Sequence, residues 1–298
     1  SRSALEAALV NGEIGVAMVL PPDLDRSAGS RPGQARPEVQ VLYDGAEAVL
    51  AGNSEAYLTA LVTSAGARLA ARPRGGAGSA DRSSAPGIAV VTHALYNPKL
   101  EGTPFMVAGT FGFVLSFLTV LITAVTIVNE RLMGTFDQLQ LTPATTLEIL
   151  LGKLLPLGAV FAFDVVLMVL AGGFLLGVWP AGSVLLFIAI SSAYVMTSLA
   201  MGLLLSATSA TAMEAVQKTV LLSIPLVQLS GFSFPVRSMP MPIRWLAELL
   251  PATHYIRVSR AIYVRGEGFV ALLPELGILF LLGGLLVLGA LRSLERRT

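Results

Sequence analysis

Cysteine is absent from this chain of 298 residues, which excludes disulfides, thiol nucleophiles and metal sites built on cysteine. Histidine is nearly absent: His93 and His254 are the only two, and neither has Asp, Glu or Cys at the spacing that metal ligands require. Charged residues are scarce as well, at 13%, and the net charge of +1 offers no basic face for a nucleic acid. We therefore expect neither a metal centre nor a nucleic-acid partner.

Catalytic motifs are missing too. No Ser-His-Asp arrangement is recognisable in the sequence. Gly152-Lys153 is similar to the end of a phosphate-binding loop, but no glycine stands five residues earlier, and Leu154 replaces the required Ser or Thr. The sequence predicts no catalytic residue and no cofactor bound by this chain.

Apolar residues, by contrast, are abundant: they make up 54% of the chain, and the mean hydropathy is +0.73. Charge is concentrated in residues 1–102, which hold 9 of the 20 Lys and Arg and 10 of the 19 Asp and Glu. Such a division predicts a polar domain followed by a membrane domain that begins at residue 103.

The first third of the chain has the pattern of a small α/β domain. Apolar runs at 14–20, 39–43 and 88–92 predict strands, since turn-forming residues follow the first two. Residues 54–69 have apolar positions at helical spacing and predict an amphipathic helix. Segment 71–87 consists of Gly, Ala, Ser, Arg, Pro and one Asp, a composition that predicts a mobile loop.

Five apolar runs in the rest of the chain approach the roughly 20 residues that cross a bilayer core. Lipid leaves an unpaired backbone group without a partner, and no run alternates like a barrel strand, so helices are expected. The fold class predicted is an α-helical polytopic membrane protein with a small α/β extracytoplasmic domain. The predicted spans are 104–128, 154–178, 183–207, 216–236 and 269–291.

Basic residues in the short loops barely indicate how the chain is oriented in the membrane, because they divide nearly equally between its two sides. Placing loop 129–153 in the cytoplasm requires residues 1–102 to be translocated, yet no signal peptide or span precedes them. We expect a further span before Ser1, which would bring the whole protein to six.

Loop 129–153 is amphipathic at the helical period. Leu132, Phe136 and Leu139 form one apolar stripe, and Thr145 with Glu148 can form a capping box that opens a following helix. Periodicity alone is equally compatible with a solvated loop and with a docking surface for a partner.

The residues of this loop resemble the signature loop of the ATP-binding-cassette (ABC) type-2 permeases, the drug and lipid exporter class. Two flanking motifs agree. Tyr96-Asn97-Pro98 with Phe105-Met106-Val107 looks like the family's entry to the first span, although Ala108 stands where a proline is usual. Segments 229–240 and 250–260 resemble the stretch between the family's last two spans. The resemblance covers nearly the whole chain.

The resemblance implies a non-catalytic transmembrane permease subunit of an exporter in the bacterial inner membrane. It implies that ATP and Mg²⁺ are bound by a separate cytoplasmic ABC ATPase, that the chain pairs with a second permease copy or a paralogue, and that a periplasmic adaptor is a further candidate partner. The cargo implied is an amphipathic drug, lipid or glycolipid. The residues that carry the implied ATPase-coupling loop are Glu130, Arg131, Gly134, Thr135, Gln138, Leu139, Thr142, Pro143, Glu148, Gly152 and Lys153.

Residues 237–268 correspond in that family to an external gate region. The segment is too polar to span a bilayer but is amphipathic, with a predicted Arg244–Glu248 pair, so an interfacial or re-entrant helix is expected beside the alternative of a plain loop. Its five arginines are expected at headgroup phosphates. The gate residues implied by the resemblance are Ser230, Gly231, Phe234, Pro235, Met239, Pro240, Trp245 and Pro251.

Asp164 lies about 15 Å into its predicted span, near the bilayer midplane. Two interpretations stay open: a structural hydrogen bond to Thr123, Thr126 or Gln217, and a role in a substrate or proton path. The second admits a proton-driven secondary transporter as an alternative function. A membrane-embedded enzyme or sensor is a third hypothesis. The Gly173–Gly177 pair is likewise compatible with a dimer face or with ordinary helix packing.

Overall fold

The computed structural model describes most of the chain beyond residue 101 and separate segments before it. The described residues are 4–5, 8–9, 14, 16–20, 38–44, 56–65, 89–95, 102–135, 138, 143 and 145–295. They belong to two compact units, Ser1–Gly102 and Thr103–Thr298.

The first unit contains a three-stranded sheet in the order β1-β2-β3. β1 (Val16–Val19) runs antiparallel to β2 (Glu38–Asp44), and β2 runs parallel to β3 (Ala89–Leu95). A short helix, α1 (Ala56–Ala65), lies between β2 and β3 in the sequence. All four elements overlap the segments predicted from the apolar patterns. The predicted loop 71–87 lies outside the described residues.

The second unit is helical. Four of its helices are, among the described residues, long and apolar enough to cross a membrane, and they coincide with four of the predicted spans. Their candidate spanning parts are Gly102–Leu132, Leu151–Leu176, Val184–Thr208 and Phe269–Arg292. In chain order the helices are α2 (Gly102–Leu132), α3 (Thr146–Leu176), α4 (Val184–Thr208), α5 (Ala212–Leu229), α6 (Met241–Glu248), α7 (Pro251–Arg260) and α8 (Phe269–Glu295).

The predicted span 216–236 requires a correction. Its helix, α5, has 18 residues, carries Glu214 in its first turn, and is not among the candidate spans of the described residues. The helix ends at Leu229 because Gly231 adopts a left-handed conformation, with φ of 85°. The apolar residues after it, up to Val236, belong to a turn and a short 3-10 helix. Because apolar residues continue past Leu229, the predicted span extends beyond the end of the helix.

Helices α2, α4 and α7 approach one another closely at glycines. A Cβ atom added to Gly112 of α2 would lie 2.4 Å from Cγ1 of Ile256 in α7. One added to Gly202 of α4 would lie 2.7 Å from Cβ of Thr123 in α2. Because real Cβ contacts are not that short, the three helices could not pack this way with larger residues.

Gly173 and Gly177 have two different structural roles within the chain. A Cβ at Gly173 would meet the Trp179 ring at 2.4 Å, and Gly177 is the left-handed C-cap of α3, with φ of 69°. The packing interpretation is confirmed for Gly173, whose missing side chain makes room for a residue of its own subunit.

Helices α6 and α7 form a hairpin between α5 and α8. In α7 the residues from Pro251 to Ile256 are all buried, whereas residues 240–246 at the start of the hairpin are all exposed. The Ser259 hydroxyl donates to the carbonyl oxygen of Ala108 in α2 at 2.7 Å. A π-helical turn, Ala261–Arg265, extends α7. The segment therefore forms two helices rather than a plain loop.

Candidate functional site

An ion pair joins the two ends of the predicted coupling loop. Glu130 lies in the last turn of α2 and Lys153 in the second turn of α3, and the Lys153 ammonium donates to the Glu130 carboxylate. The Lys153 side chain is only 12% exposed and that of Glu130 is 32% exposed, so the pair is less screened by solvent than a surface pair. The loop therefore leaves and re-enters the helical unit at one charged junction.

A second contact connects this junction to α4. The Arg131 guanidinium donates to the carbonyl oxygens of Ser206, at 3.4 Å, and Ser209. These carbonyls belong to the C-terminal end of α4, where backbone oxygens lack helical partners and the helix dipole attracts cations. Arg131 therefore caps α4 from the end of α2.

The start of α5 contributes to the same place. The Lys218 ammonium donates to the carbonyl oxygen of Thr208 and pairs with the Glu214 carboxylate at 2.7 Å. Cations from α2 and α5 thus bind neighbouring carbonyls at the end of α4, which locks the short α4–α5 connection to the loop junction. We call this end of the unit the loop end.

Between the two pinned ends, the loop begins with an exposed apolar turn. Leu132 is 60% exposed and Met133 is 76% exposed. Gly134 follows in the left-handed region, with φ of 73°, and its N–H donates to the carbonyl oxygen of Arg131 at 3.2 Å. The Thr135 hydroxyl donates to the Glu130 carbonyl oxygen at 2.8 Å. The chain turns sharply here and presents two large apolar side chains.

The capping box predicted at the start of α3 is confirmed. The N–H of Thr145 donates to the Glu148 carboxylate at 2.8 Å, and the N–H of Glu148 donates to the Thr145 hydroxyl at 3.3 Å. The backbone hydrogen bond from Thr145 and then its hydroxyl hold the pKa of Glu148 below its usual value.

The residues of the implied coupling loop thus separate into two groups. Glu130, Arg131 and Lys153 bind other parts of the helical unit, and sequence reasoning did not find these pairings because the partners are 23 or more residues apart. An exposed group comprises Thr135, Gln138, Pro143, Glu148 and Gly152, with Gly134 half-buried. Leu139 and Thr142, with the stripe residue Phe136, lie outside the described residues.

At the opposite end, called the hairpin end, four ionisable groups form a network. Nδ1 of His254 in α7 lies 2.6 Å from the Glu275 carboxylate in α8, and Nε2 lies 2.9 Å from the carbonyl oxygen of Glu248 in α6. Arg257 donates to the Glu248 carboxylate at 2.9 Å and to the Glu275 carboxylate at 3.2 Å. The network joins both helices of the hairpin to the last span.

The geometry favours a protonated His254. Its side chain is 1% exposed, and a carbonyl oxygen can only accept, so Nε2 must donate while Nδ1 faces a carboxylate. Burial opposes the charged imidazolium, but the hydrogen bonds to Glu275 and Glu248 outweigh it, and the pKa of His254 is raised. A charged imidazolium with Arg257 would balance the two carboxylates.

The network differs from two expectations drawn from the sequence, which concern the partner of Glu248 and the neighbours of His254. Glu248 pairs with Arg257, and no described residue forms an ion pair with Arg244, so the predicted Arg244–Glu248 pair is wrong. His254 does have carboxylate neighbours, although none stands at ligand spacing in the sequence. Among the described residues, no group of three or more His, Cys, Asp or Glu side chains is arranged so that it could hold a metal ion.

The five arginines of the hairpin end have different environments. Arg260 donates to the carbonyl oxygens of Gly231 and Phe232, at 2.8 and 3.1 Å, and its guanidinium lies 3.6 Å from the centre of the Phe105 ring. Arg265 pairs with Glu267 at 3.2 Å. With Arg257 in the network, three arginines have protein partners, contrary to the expectation that all five contact headgroups. The two exposed ones are Arg237 and Arg244.

The implied gate residues surround the same hairpin. Ser230 and Gly231 are buried where α5 ends, and Pro251 is buried at the start of α7. Pro240 precedes α6 as its N-cap residue. Phe234 and Trp245 are exposed, whereas Pro235 and Met239 are half-buried. The set therefore lies along one stretch of the chain, in both buried and exposed positions.

Asp164 is half-buried in α3 and makes no hydrogen bond or ion pair with any described residue. The Thr123 hydroxyl, one of its proposed partners, is buried without a hydrogen bond of its own. The structural hydrogen bond considered for Asp164 is therefore not formed.

Comparisons with known proteins agree with the resemblance. Residues 1–292 match the family described as ABC-2 family transporter protein. The probable multidrug ABC transporter permease YbhS of Escherichia coli K12 is 30% identical over 198 residues, which cover 66% of this chain and 52% of YbhS. The inner membrane transport permease YhhJ of the same organism is 26% identical over 288 residues, covering 94% of this chain and 72% of YhhJ. This chain spans about half the length of YbhS and of the permease YbhR. The chain belongs to the ABC-2 family of transporter proteins.

Proposed function

We propose that this chain acts as the transmembrane permease subunit of an ABC exporter, driven by a separate cytoplasmic ATPase. The observation that carries the proposal is the construction of the loop end. Both ends of the loop are pinned by the Glu130–Lys153 pair, and between them the chain presents exposed Leu132 and Met133. An exposed apolar turn on a rigid base suits docking into a groove of a partner protein.

In this proposal the ATPase moves the loop, and the charged contacts carry that movement into the helical unit. A push on the α2–α3 loop reaches the end of α4 through Arg131, and it passes from there to α5 because Lys218 of α5 donates to the Thr208 carbonyl of α4. Nucleotide binding by the ATPase would supply the difference in affinity that shifts the permease between two conformations. This chain would contribute no catalytic group.

The names of the relatives support an export function. YbhS is named a probable multidrug ABC transporter permease, and we extend to this chain an amphipathic drug, lipid or glycolipid as cargo. The proposal places the loop end in the cytoplasm, residues 1–102 outside the cell membrane, and a second permease copy or paralogue beside this chain.

The test uses the full chain purified from the organism that naturally produces it, together with any ABC ATPase that co-purifies. We expect Leu132→Ser with Met133→Ser to lower ATPase association and vanadate-sensitive transport in vesicles by tenfold or more, on the order of the effect of truncating interface anchors. Met241→Ser, which removes a similarly exposed apolar residue at the hairpin end, is the control for ATPase association.

The proposal fails if the double variant associates with the ATPase and transports like the wild-type chain. It also fails if no ATPase accompanies the wild-type chain.

A further inference from the structure

Helix α6 presents an uncovered apolar face. Met241, Trp245 and Leu249 follow one another at helical spacing and are 66 to 69% exposed, and Leu246 beside them is 60% exposed. The opposite side of the helix is anchored: Ala247 is fully buried, and its carbonyl oxygen accepts a hydrogen bond from the Thr253 hydroxyl at 2.6 Å. The helix is therefore held on the hairpin with its apolar face outward.

The charge around this face has one sign. Arg237 and Arg244 are exposed and make no bond with any described residue. The carboxylates of the hairpin end are already paired, Glu248 and Glu275 with Arg257, and Glu267 with Arg265. Two unneutralised guanidinium groups thus stand beside an apolar surface, an arrangement complementary to phosphate groups at the edge of hydrocarbon.

The two tryptophans of this chain both lie at the hairpin end. Trp179 belongs to the α3–α4 connection, where the N–H groups of Ala181 and Gly182 donate to carbonyls of the π-helical turn that extends α7. Trp245 belongs to α6. Tryptophan collects at membrane–water interfaces, and Trp179 stands directly between two candidate spans. Trp245 therefore lies at the same end of the helical unit as a tryptophan that directly adjoins two candidate spans.

We infer that the outward face of α6 lies in the headgroup region of the surrounding bilayer, with Trp245 at the hydrocarbon boundary and Arg237 and Arg244 bound to lipid phosphates. This surface is distinct from the proposed ATPase-docking turn, and its occupant is lipid of the leaflet at the hairpin end. The carboxylate network on the other side of the hairpin holds the helix at that depth.

Tryptophan fluorescence tests the inference on the full chain in vesicles, without an ATPase or cargo. In a Trp179→Phe variant, the emission reports Trp245 alone, and a Trp245→Phe variant reports Trp179 as a reference. The probes are phosphatidylcholine and phosphatidylglycerol with bromine at shallow or deep acyl positions, and aqueous acrylamide. We expect Trp245 to be quenched more by shallow than by deep bromine and to be protected from acrylamide.

Two arginine variants test the phosphate contact. We expect Arg237→Gln and Arg244→Gln each to lower the preference of quenching for brominated phosphatidylglycerol over phosphatidylcholine by up to about fivefold, the effect of one basic group near an anionic surface. Arg292→Gln, an exposed arginine near the end of α8, should leave the preference unchanged.

Quenching of Trp245 by acrylamide but not by bromine would overturn the inference in favour of water. Protection from both would overturn it in favour of a protein partner, such as a second copy. Shallow quenching with no response to either arginine variant would overturn the phosphate contact.

Discussion

Glu275→Gln should loosen the hairpin and weaken the dependence of its stability on pH. The substitution keeps the shape of the side chain but removes the charge that faces His254 at 2.6 Å and Arg257 at 3.2 Å. A hydrogen bond to a charged group contributes about 1.5 to 3 kcal/mol. Because the Glu275 and Arg257 side chains are 30% and 34% exposed, and the amide retains one weaker bond, we expect a loss of about 1 to 2 kcal/mol.

The pH dependence has a definite sign. The pKa of His254 is raised in the folded state, so the stabilisation that it gains is complete below the ordinary value of 6.5 and is lost as the pH rises through the higher folded value. Glu275→Gln removes the carboxylate that raises the pKa. The stability of the variant should therefore change less over this range than that of the wild-type chain.

Thermal unfolding in nanodiscs between about pH 6 and pH 9 measures this effect. Hydrogen exchange of the backbone amides of α7 reports the same loosening locally. Arg292→Gln, which removes an exposed arginine near the end of α8 that has no bonding partner among the described residues, is the control, and we expect a change within about 0.5 kcal/mol. A wild-type curve that is flat over this range, or a Glu275→Gln variant as stable as the control, would refute the reasoning.

Three further predictions concern the loop end and α3. A double-mutant cycle of Glu130→Gln and Lys153→Met should give a coupling free energy of about 1 kcal/mol in thermal unfolding, since the pair is partly buried; additive effects would contradict the pairing. Thr145→Ala removes the capping box, so amides in the first turn of α3 should exchange several-fold faster, whereas Thr208→Ala, which caps no helix start, should leave them unchanged. Asp164 has no hydrogen-bond or ion-pair partner among the described residues, so in Asp164→Asn stability should stay within about 0.5 kcal/mol of wild type or rise; unaltered transport would also exclude a titrating role.

The candidate site was only partly predictable from the sequence. The Thr145–Glu148 capping box could be predicted because both residues belong to one helical turn, so their spacing alone decides whether they meet. The Glu130–Lys153 pair could not, because the loop between them has to fold back first. Motif resemblance selected both residues for docking, whereas the structure assigns them an internal ion pair.

The fold, like the site, was predictable only in part. Runs of apolar residues were sufficient to predict α2, α3, α4 and α8, since each must be long enough to cross a bilayer and must satisfy its own backbone hydrogen bonds. The end of α5 at Leu229 was missed, because hydropathy averages over a window and does not register a single left-handed residue such as Gly231.

The sequence by itself determined that this is a helical membrane protein with a polar first unit, and it identified the family through three motifs in order. Only the tertiary structure decided which charges neutralise which. His254 and Glu275 are 21 residues apart and meet because α7 packs against α8, while Arg131 reaches carbonyls 75 or more residues away at the end of α4. Local patterns follow from the geometry of a single helix, but charge pairing depends on how separate helices approach one another.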